Sequence, residues 1–243
     1  MKKEKGMLVW ICACFVLMVC DFPFAYANEE EVSLDKANID LTDKASLQRG
    51  ARLFMDVCSG CHSLKYIRYS TMAKDIGITN AKGGVLDEVV KADLMFVGDK
   101  ITDPIISAMT KEEGVAWFGT APPDLSLEAR LRGTDWIYTY LRSFYLDPKK
   151  QWGVNNTIFP DVAMPDVLYN MQQQLLKEPG GQAKFDNAIR DLTNFLTYVA
   201  EPIKLVREHI GIWVMLFLGI FFIFAWLLKR EYWKGVHSAR EDE

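Results

Sequence analysis

The chain has 243 residues, 25% of them charged and 50% hydrophobic, which suits one folded domain with accessory segments and excludes an intrinsically disordered chain. The formal net charge of −4 is mild and no basic stripe runs along the sequence, which argues against nucleic acid as a partner.

The N-terminus combines Lys2, Lys3 and Lys5 with an apolar run from Met7 to Cys20 and an Ala25-Tyr26-Ala27 end. That is the pattern of a secretory signal peptide: a positive region, an apolar region and a small-residue cleavage site. The run is too short to cross about 30 Å of hydrocarbon. Residues 1–27 are therefore expected to be removed rather than kept as an anchor, and the remainder exported. Residues 28–42 show no periodicity and carry Glu29, Glu30, Glu31, Asp35 and Asp40, with Asp43 just beyond. Two readings stay open for them: a solvated, floppy leader, or an acidic face that steers a basic soluble partner.

A helix is expected from Asp43, which can cap it, because Leu47, Ala51, Phe54, Met55 and Cys58 fall on one helical face. Residues 77–84 read as loop. So do residues 111–124, which contain Gly114, Gly119, Pro122 and Pro123. A second helix is expected from Asp135 to Tyr145, stopped by Asp147-Pro148, followed by an extended loop over residues 149–166. Gly180-Gly181 divides a short helix from a last one, whose stripe includes Phe185, Ile189, Leu192, Phe195, Leu196 and Val199. Pro202 is expected to kink that helix. No strand pattern and no repeat stand out. The expected fold class is all-α with long loops over residues 28–209.

From Ile210 to Leu228 no charge occurs, and at 1.5 Å per residue the run reaches about 28 Å, enough to cross a bilayer. Lys229, Arg230 and Lys234 follow, with Trp226, Tyr232 and Trp233 at the expected interface. The positive-inside rule assigns residues 229–243 to the cytoplasm. The chain then reads as a periplasmic domain on one transmembrane helix, residues 210–228, in a bacterial inner membrane.

Of five cysteines, Cys12, Cys14 and Cys20 lie in the leader, leaving Cys58 and Cys61 in the mature chain. A disulfide framework is excluded. The two belong to Cys58-Ser59-Gly60-Cys61-His62, the c-type haem attachment pattern. Two thiols at this spacing form thioethers with the two vinyl groups of one haem, and the next histidine lies under the iron. A zinc site needs about four ligands, and a thioredoxin-like motif needs a βαβ context; neither is present in the sequence.

The other two histidines are His209, at the membrane edge, and His237, in the tail. Neither can readily reach a haem tethered at Cys58, which points to methionine as the second axial ligand. The exported candidates are Met55, Met72, Met95, Met109, Met164 and Met171. Met55 lies too close to the attachment side, and Met171 begins a helical run. Met164 precedes Pro165, which biases it to an extended conformation in an apolar, Pro-rich loop. The residues alone favour Met164 and leave a core-packing role open for it.

Taken together, Val57 to Leu64 with Tyr66-Ile67-Arg68-Tyr69, then Ala121-Pro122-Pro123-Asp124-Leu125-Ser126, then Met164-Pro165, then Glu201-Pro202 before a C-terminal anchor, resemble the cytochrome c1 family. These are the haem c subunits of the quinol–cytochrome c reductase (cytochrome bc1) complex. The resemblance implies His62 and Met164 as axial ligands of one covalent haem c, with Pro122 and Pro123 packed near it. It also implies that an arginine after Asp124-Leu125-Ser126 pairs with a haem propionate, Arg132 or, as the alternative, Arg130. The implied role is electron relay from the Rieske iron–sulfur protein to a cytochrome c, beside a cytochrome b subunit. With both axial positions filled, the chain alone is a relay and not a catalyst. The chain differs from longer members in lacking an extra cysteine pair and a long acidic insertion, which bears on docking of a soluble partner. Two rivals remain: a monohaem subunit of another membrane oxidoreductase, and a ligand-binding or catalytic haem protein with an open sixth position.

Overall fold

The structure, a computed structural model, describes residues 33–238, with side chains described through 233. The signal-peptide reading falls on residues 1–27 and lies outside the described residues.

The expected first helix is present as α1, Lys44–Val57, and Asp43 caps it by accepting from the Ser46 amide at 3.0 Å. Its apolar face, Leu47, Ala51, Phe54 and Met55, is buried. Further along the chain come β1 (Leu64–Arg68), α2 (Tyr69–Asp75), α3 (Asp87–Asp93), β2 (Pro104–Ile105), α4 (Lys111–Phe118), α5 (Glu128–Arg132) and α6 (Thr134–Arg142). The order continues with β3 (Phe144–Leu146), β4 (Val154–Asn156), α7 (Tyr169–Leu175), α8 (Gly181–Ala200) and α9 (Lys204–Ser238). The fold is mainly helical with long loops, as expected.

The core is the crossing of α1 and α8. Gly50 makes it possible: a Cβ there would lie 2.0 Å from the carbonyl oxygen of Asp191, so the helices touch backbone to backbone. Phe54 and Phe195 pack beside the crossing with ring centroids 5.9 Å apart. Asp191 accepts from Ser46 Oγ at 2.6 Å and from Arg49 Nε at 2.6 Å, which fixes the rotation of α1 on α8.

Four departures from the sequence reading have local causes. β1 pairs antiparallel with β2, and β3 with β4, where no strand was expected. These strands are two to five residues long, and β1 buries only Leu64 and Ile67, so no alternation can show. Residues 111–118, read as loop, form α4. Thr110 and Glu113 build a reciprocal capping box there, and this Thr-x-x-Glu signal outweighs the glycine inside the helix. The helix expected to end at Tyr145 ends at Arg142, because Phe144–Leu146 enter a strand pair. Pro202 does not kink a continuous helix. α8 stops at Ala200, Glu201 leaves helical geometry, and α9 starts afresh at Lys204.

The described part of the acidic leader is tied to the domain rather than floppy. Ala37 is fully buried, its amide donates to Asp135 Oδ1 at 2.9 Å, and its carbonyl accepts from Arg190 Nε at 3.0 Å. Asp35 accepts from Arg142 Nη1 at 2.6 Å. Asp35 and Asp43 thus have internal partners, which leaves less of this segment's charge to steer a partner.

α9 is one apolar helix. Its Lys204–Trp233 stretch has 30 residues, about 45 Å at 1.5 Å each, and its apolar side chains are exposed. The uncharged run from Ile210 to Leu228 lies inside it. This is a single-pass anchor by length and composition.

Candidate haem site

The attachment motif is formed as the chain peels off α1. The amides of Cys58 and Ser59 both donate to the Phe54 carbonyl, at 2.8 and 3.0 Å. Those of Cys61 and His62 donate to the Cys58 carbonyl, at 3.1 and 2.8 Å. Two successive tight turns therefore bring both thiols and the imidazole to one place. Ser107 pins the turn from outside: its hydroxyl donates to the Gly60 carbonyl at 2.7 Å, and its amide donates to Ser63 Oγ at 2.9 Å.

Neither cysteine is in a disulfide; Cys58 is buried and Cys61 half-buried. Burial, with the neighbouring Cys61 adding to it, pushes the Cys58 thiol up to about 12, and burial also raises Cys61. Among the described residues, no three or more His, Cys, Asp or Glu side chains converge as a metal site.

His62 Nδ1 lies 2.8 Å from the Pro123 carbonyl. A carbonyl only accepts, so Nδ1 carries the proton and Nε2 keeps its lone pair for a metal. Burial lowers the imidazole's pKa, partly offset by the Pro123 carbonyl and by Glu128 and Asp124, which favours the neutral ligand form. The Pro-Pro-Asp-Leu-Ser segment is held against the motif to deliver this carbonyl. Leu125 N donates to the Ser63 carbonyl at 2.9 Å, Lys65 N to Asp124 Oδ2 at 3.1 Å, and Tyr66 N to Ser126 Oγ at 3.2 Å. Behind it, Gly114 in α4 admits Pro122, whose Cδ would lie 2.5 Å from a Cβ at that position. The glycine that made residues 111–124 look like loop has a packing role.

Between these residues opens a cavity of about 370 Å³, whose lining includes Cys58, His62, Arg132, Tyr140 and Met164. A narrower part of about 90 Å³ is lined by Cys61, Phe118, Pro122 and Pro165, and shares His62, Pro123 and Met164 with the first. All the expected site residues thus border one cleft: Cys58, Cys61, His62, Pro122, Pro123, Arg132 and Met164. Arg132 and Arg130 separate clearly. Arg132 faces the cleft, its guanidinium 4.4 Å from the Trp136 ring and 5.3 Å from that of Phe159, with Nε donating to Glu128 at 3.0 Å. Arg130 lies 3.8 Å from Glu201 and does not line the cleft. Of the other methionines, Met55 and Met72 are buried in the core, and Met95 and Met171 pack against it. Met109 does not line the cleft.

The Met164 side is built from residues that sequence reasoning passed over. Asn156, fully buried, donates from Nδ2 to the Tyr140 carbonyl at 2.8 Å and accepts at Oδ1 from the amides of Ile158 and Phe159, at 3.1 and 3.2 Å. Asn155 Oδ1 accepts from Asp161 N at 2.9 Å, holding Asp161 in its left-handed conformation, φ 62°. These two amides fold the loop so that Val162, Ala163 and Met164 form a wall. Tyr140, Trp136 and Phe159 complete it. The contacts that tie Asn156 to Tyr140 and Tyr140 to Met164 span 16 and 24 positions, and no sequence pattern marked them.

The chemistry of the lining fits a haem c: two cysteine sulfurs and a nitrogen donor on one wall, a thioether on the loop wall, apolar sides and one guanidinium. The cytochrome C1 family model matches residues 35–236. The chain belongs to the cytochrome c1 family. It is 46% identical to a cytochrome c1 of Allochromatium vinosum, over 93% of this chain and 98% of that one. It is 42% identical to a protein of Nitrosomonas europaea named ammonia monooxygenase gamma subunit, over 88% and 94%. It is 27% identical to the mitochondrial cytochrome c1 heme protein of Saccharomyces cerevisiae, over 82% and 69%. As a cytochrome c1, the chain carries one covalently bound haem c and serves as an electron-transfer subunit of a cytochrome bc1 complex, with cytochrome b and a Rieske protein as implied partners. The mainly helical domain with one C-terminal apolar helix agrees with this membership.

Proposed function

We propose that Cys58 and Cys61 hold the haem by thioethers, that His62 Nε2 and Met164 Sδ are its axial ligands, and that Arg132 pairs with a propionate. We further propose that the chain takes one electron from the Rieske protein and passes it to a cytochrome c, with the haem domain in the periplasm and the C-terminus in the cytoplasm. The observation that carries this reading is the lining of one cleft by both thiols, His62 and Met164. When bound, the haem supplies a one-electron iron couple, and His/Met ligation places its potential high. The protein's part is to hold the donors, exclude water with Pro122, Pro123 and the aromatic wall, and keep both axial positions filled.

The name of the Nitrosomonas relative favours one second reading, a haem subunit serving a monooxygenase. Affinity purification of the full chain from detergent-solubilised membranes separates the two. Cytochrome b and a Rieske protein should co-elute, and quinol should reduce the haem. Co-elution of monooxygenase subunits without them would overturn the bc1 reading. A reporter fused after Glu243 should be active only as a cytoplasmic reporter, since Lys229, Arg230 and Lys234 flank the span on that side.

A further inference from the structure

The Tyr140 hydroxyl donates to Met164 Sδ at 3.4 Å. Attachment at Cys58 and Cys61 does not need this contact, nor does the carbonyl that orients His62. A thioether sulfur has two lone pairs and ligation uses one, so a hydroxyl can engage the other without displacing the metal.

The position of Tyr140 is fixed from several directions. Its ring stacks on Trp136 at 5.0 Å and 8°, and meets Phe144 edge-on at 5.3 Å. Phe159 closes a third side at 6.4 Å. Asn156 bonds both the Tyr140 carbonyl and the amides of Ile158 and Phe159, so helix α6 and the Met164 loop share one anchor. A hydroxyl held this firmly cannot follow a wandering sulfur; it selects one sulfur position.

We propose that Tyr140 is a positioning residue for Met164, orienting its thioether by a hydrogen bond and raising the haem's reduction potential. The inference rests on the reading of Met164 as an axial ligand. A proton aimed at the sulfur draws electron density from it. With haem bound, a weaker sulfur donor would destabilise ferric iron more than ferrous iron, and the midpoint potential would rise.

The test is Tyr140→Phe in the full chain, purified in its membrane complex. Phenylalanine keeps the ring contacts and removes only the hydroxyl. The variant should show a lower midpoint potential in a redox titration and a displaced methionine-to-ferric-iron charge-transfer band. A loss of ring packing alone would not move that band in a variant that keeps the ring. Carbon monoxide binding by the variant, with the parent inert, would also support the proposal, since the sulfur would then need the hydroxyl to stay in place. If the parent shows the band and Tyr140→Phe moves neither band nor potential, the proposal fails while Met164 ligation stands. If the parent lacks the band, and Met164→Leu changes nothing, the ligation reading fails and this proposal goes with it. Should Tyr140→Phe not accumulate, 3-fluorotyrosine at position 140 decides. Its more acidic hydroxyl should raise the midpoint, and an unchanged value would overturn the proposal.

Discussion

The two walls of the cleft are built by different means. The His62 wall is local in sequence: five consecutive residues carry the attachment chemistry, and backbone bonds shape them. Its main reinforcement, the Pro-Pro-Asp-Leu-Ser segment, is itself a short contiguous run. The Met164 wall is assembled across distance from α6, β4 and a loop, and side-chain amides and aromatic rings hold it. A wall made of backbone turns tolerates change at its surface and fails when a covalent donor is lost. A wall made of side-chain bonds can loosen by degrees. The difference predicts that attachment and sixth-position ligation can be broken separately.

The largest effect belongs to the first wall. Cys58→Ala combined with Cys61→Ala removes both thioethers, and no other cysteine lies beyond residue 20. Haem-stained denaturing gels should show no band from this protein. A band of normal strength would sink the assignment of the attachment site. Met164→Leu should break the opposite wall alone. The haem stays attached, the sixth position opens, and the ferrous form binds carbon monoxide with a large fall in midpoint potential. Carbon monoxide inertness with an unchanged potential would transfer the ligand role away from Met164.

Asn156→Ala sharpens the contrast without touching a donor. It deletes three part-buried hydrogen bonds to backbone groups, a loss of about 2–4 kcal/mol. Thermal unfolding of the holoprotein should start several degrees lower while haem staining stays at the parent level. Partial carbon monoxide binding should appear, because the Met164 loop is no longer anchored to α6. A variant that loses stability and keeps full carbon monoxide inertness would show that the loop holds Met164 by other means.

The same division explains what the sequence made legible. The attachment turn could be read because its chemistry is consecutive, and α1 because Asp43 and a clean apolar stripe announce it. Met164 could be favoured only by eliminating other methionines and by the resemblance. Arg132 and Arg130 could not be told apart, since two residues of helix decide which of them faces Trp136 and the cleft. Residues 111–124 read as loop because of their glycines and prolines; the Thr110–Glu113 capping box starts a helix there, and Gly114 serves the close approach of Pro122. The Asn156–Tyr140 and Tyr140–Met164 contacts join residues 16 and 24 positions apart, and no helical or strand period links such pairs.

The smallest expected effect tests whether the His62 wall is as robust as its backbone bonding suggests. Asp124 accepts from Lys65 N through Oδ2, at 3.1 Å, and from Ser126 N through Oδ1, at 2.9 Å. It therefore braces the segment whose Pro123 carbonyl orients His62. Asp124→Asn keeps one acceptor oxygen and replaces the other with an amide that cannot accept. One of the two bonds is lost, and the remaining oxygen can still serve the other. The segment also keeps its bond from Leu125 N to the Ser63 carbonyl, at 2.9 Å, and from Tyr66 N to Ser126 Oγ, at 3.2 Å. The expected loss is about 1 kcal/mol in the stability of the holoprotein. Midpoint potential and carbon monoxide inertness should stay at parent values, because the Pro123 carbonyl keeps its place. A marked fall in potential would mean that one carboxylate governs the His62 hydrogen bond. The backbone wall would then be no more robust than the loop wall opposite it.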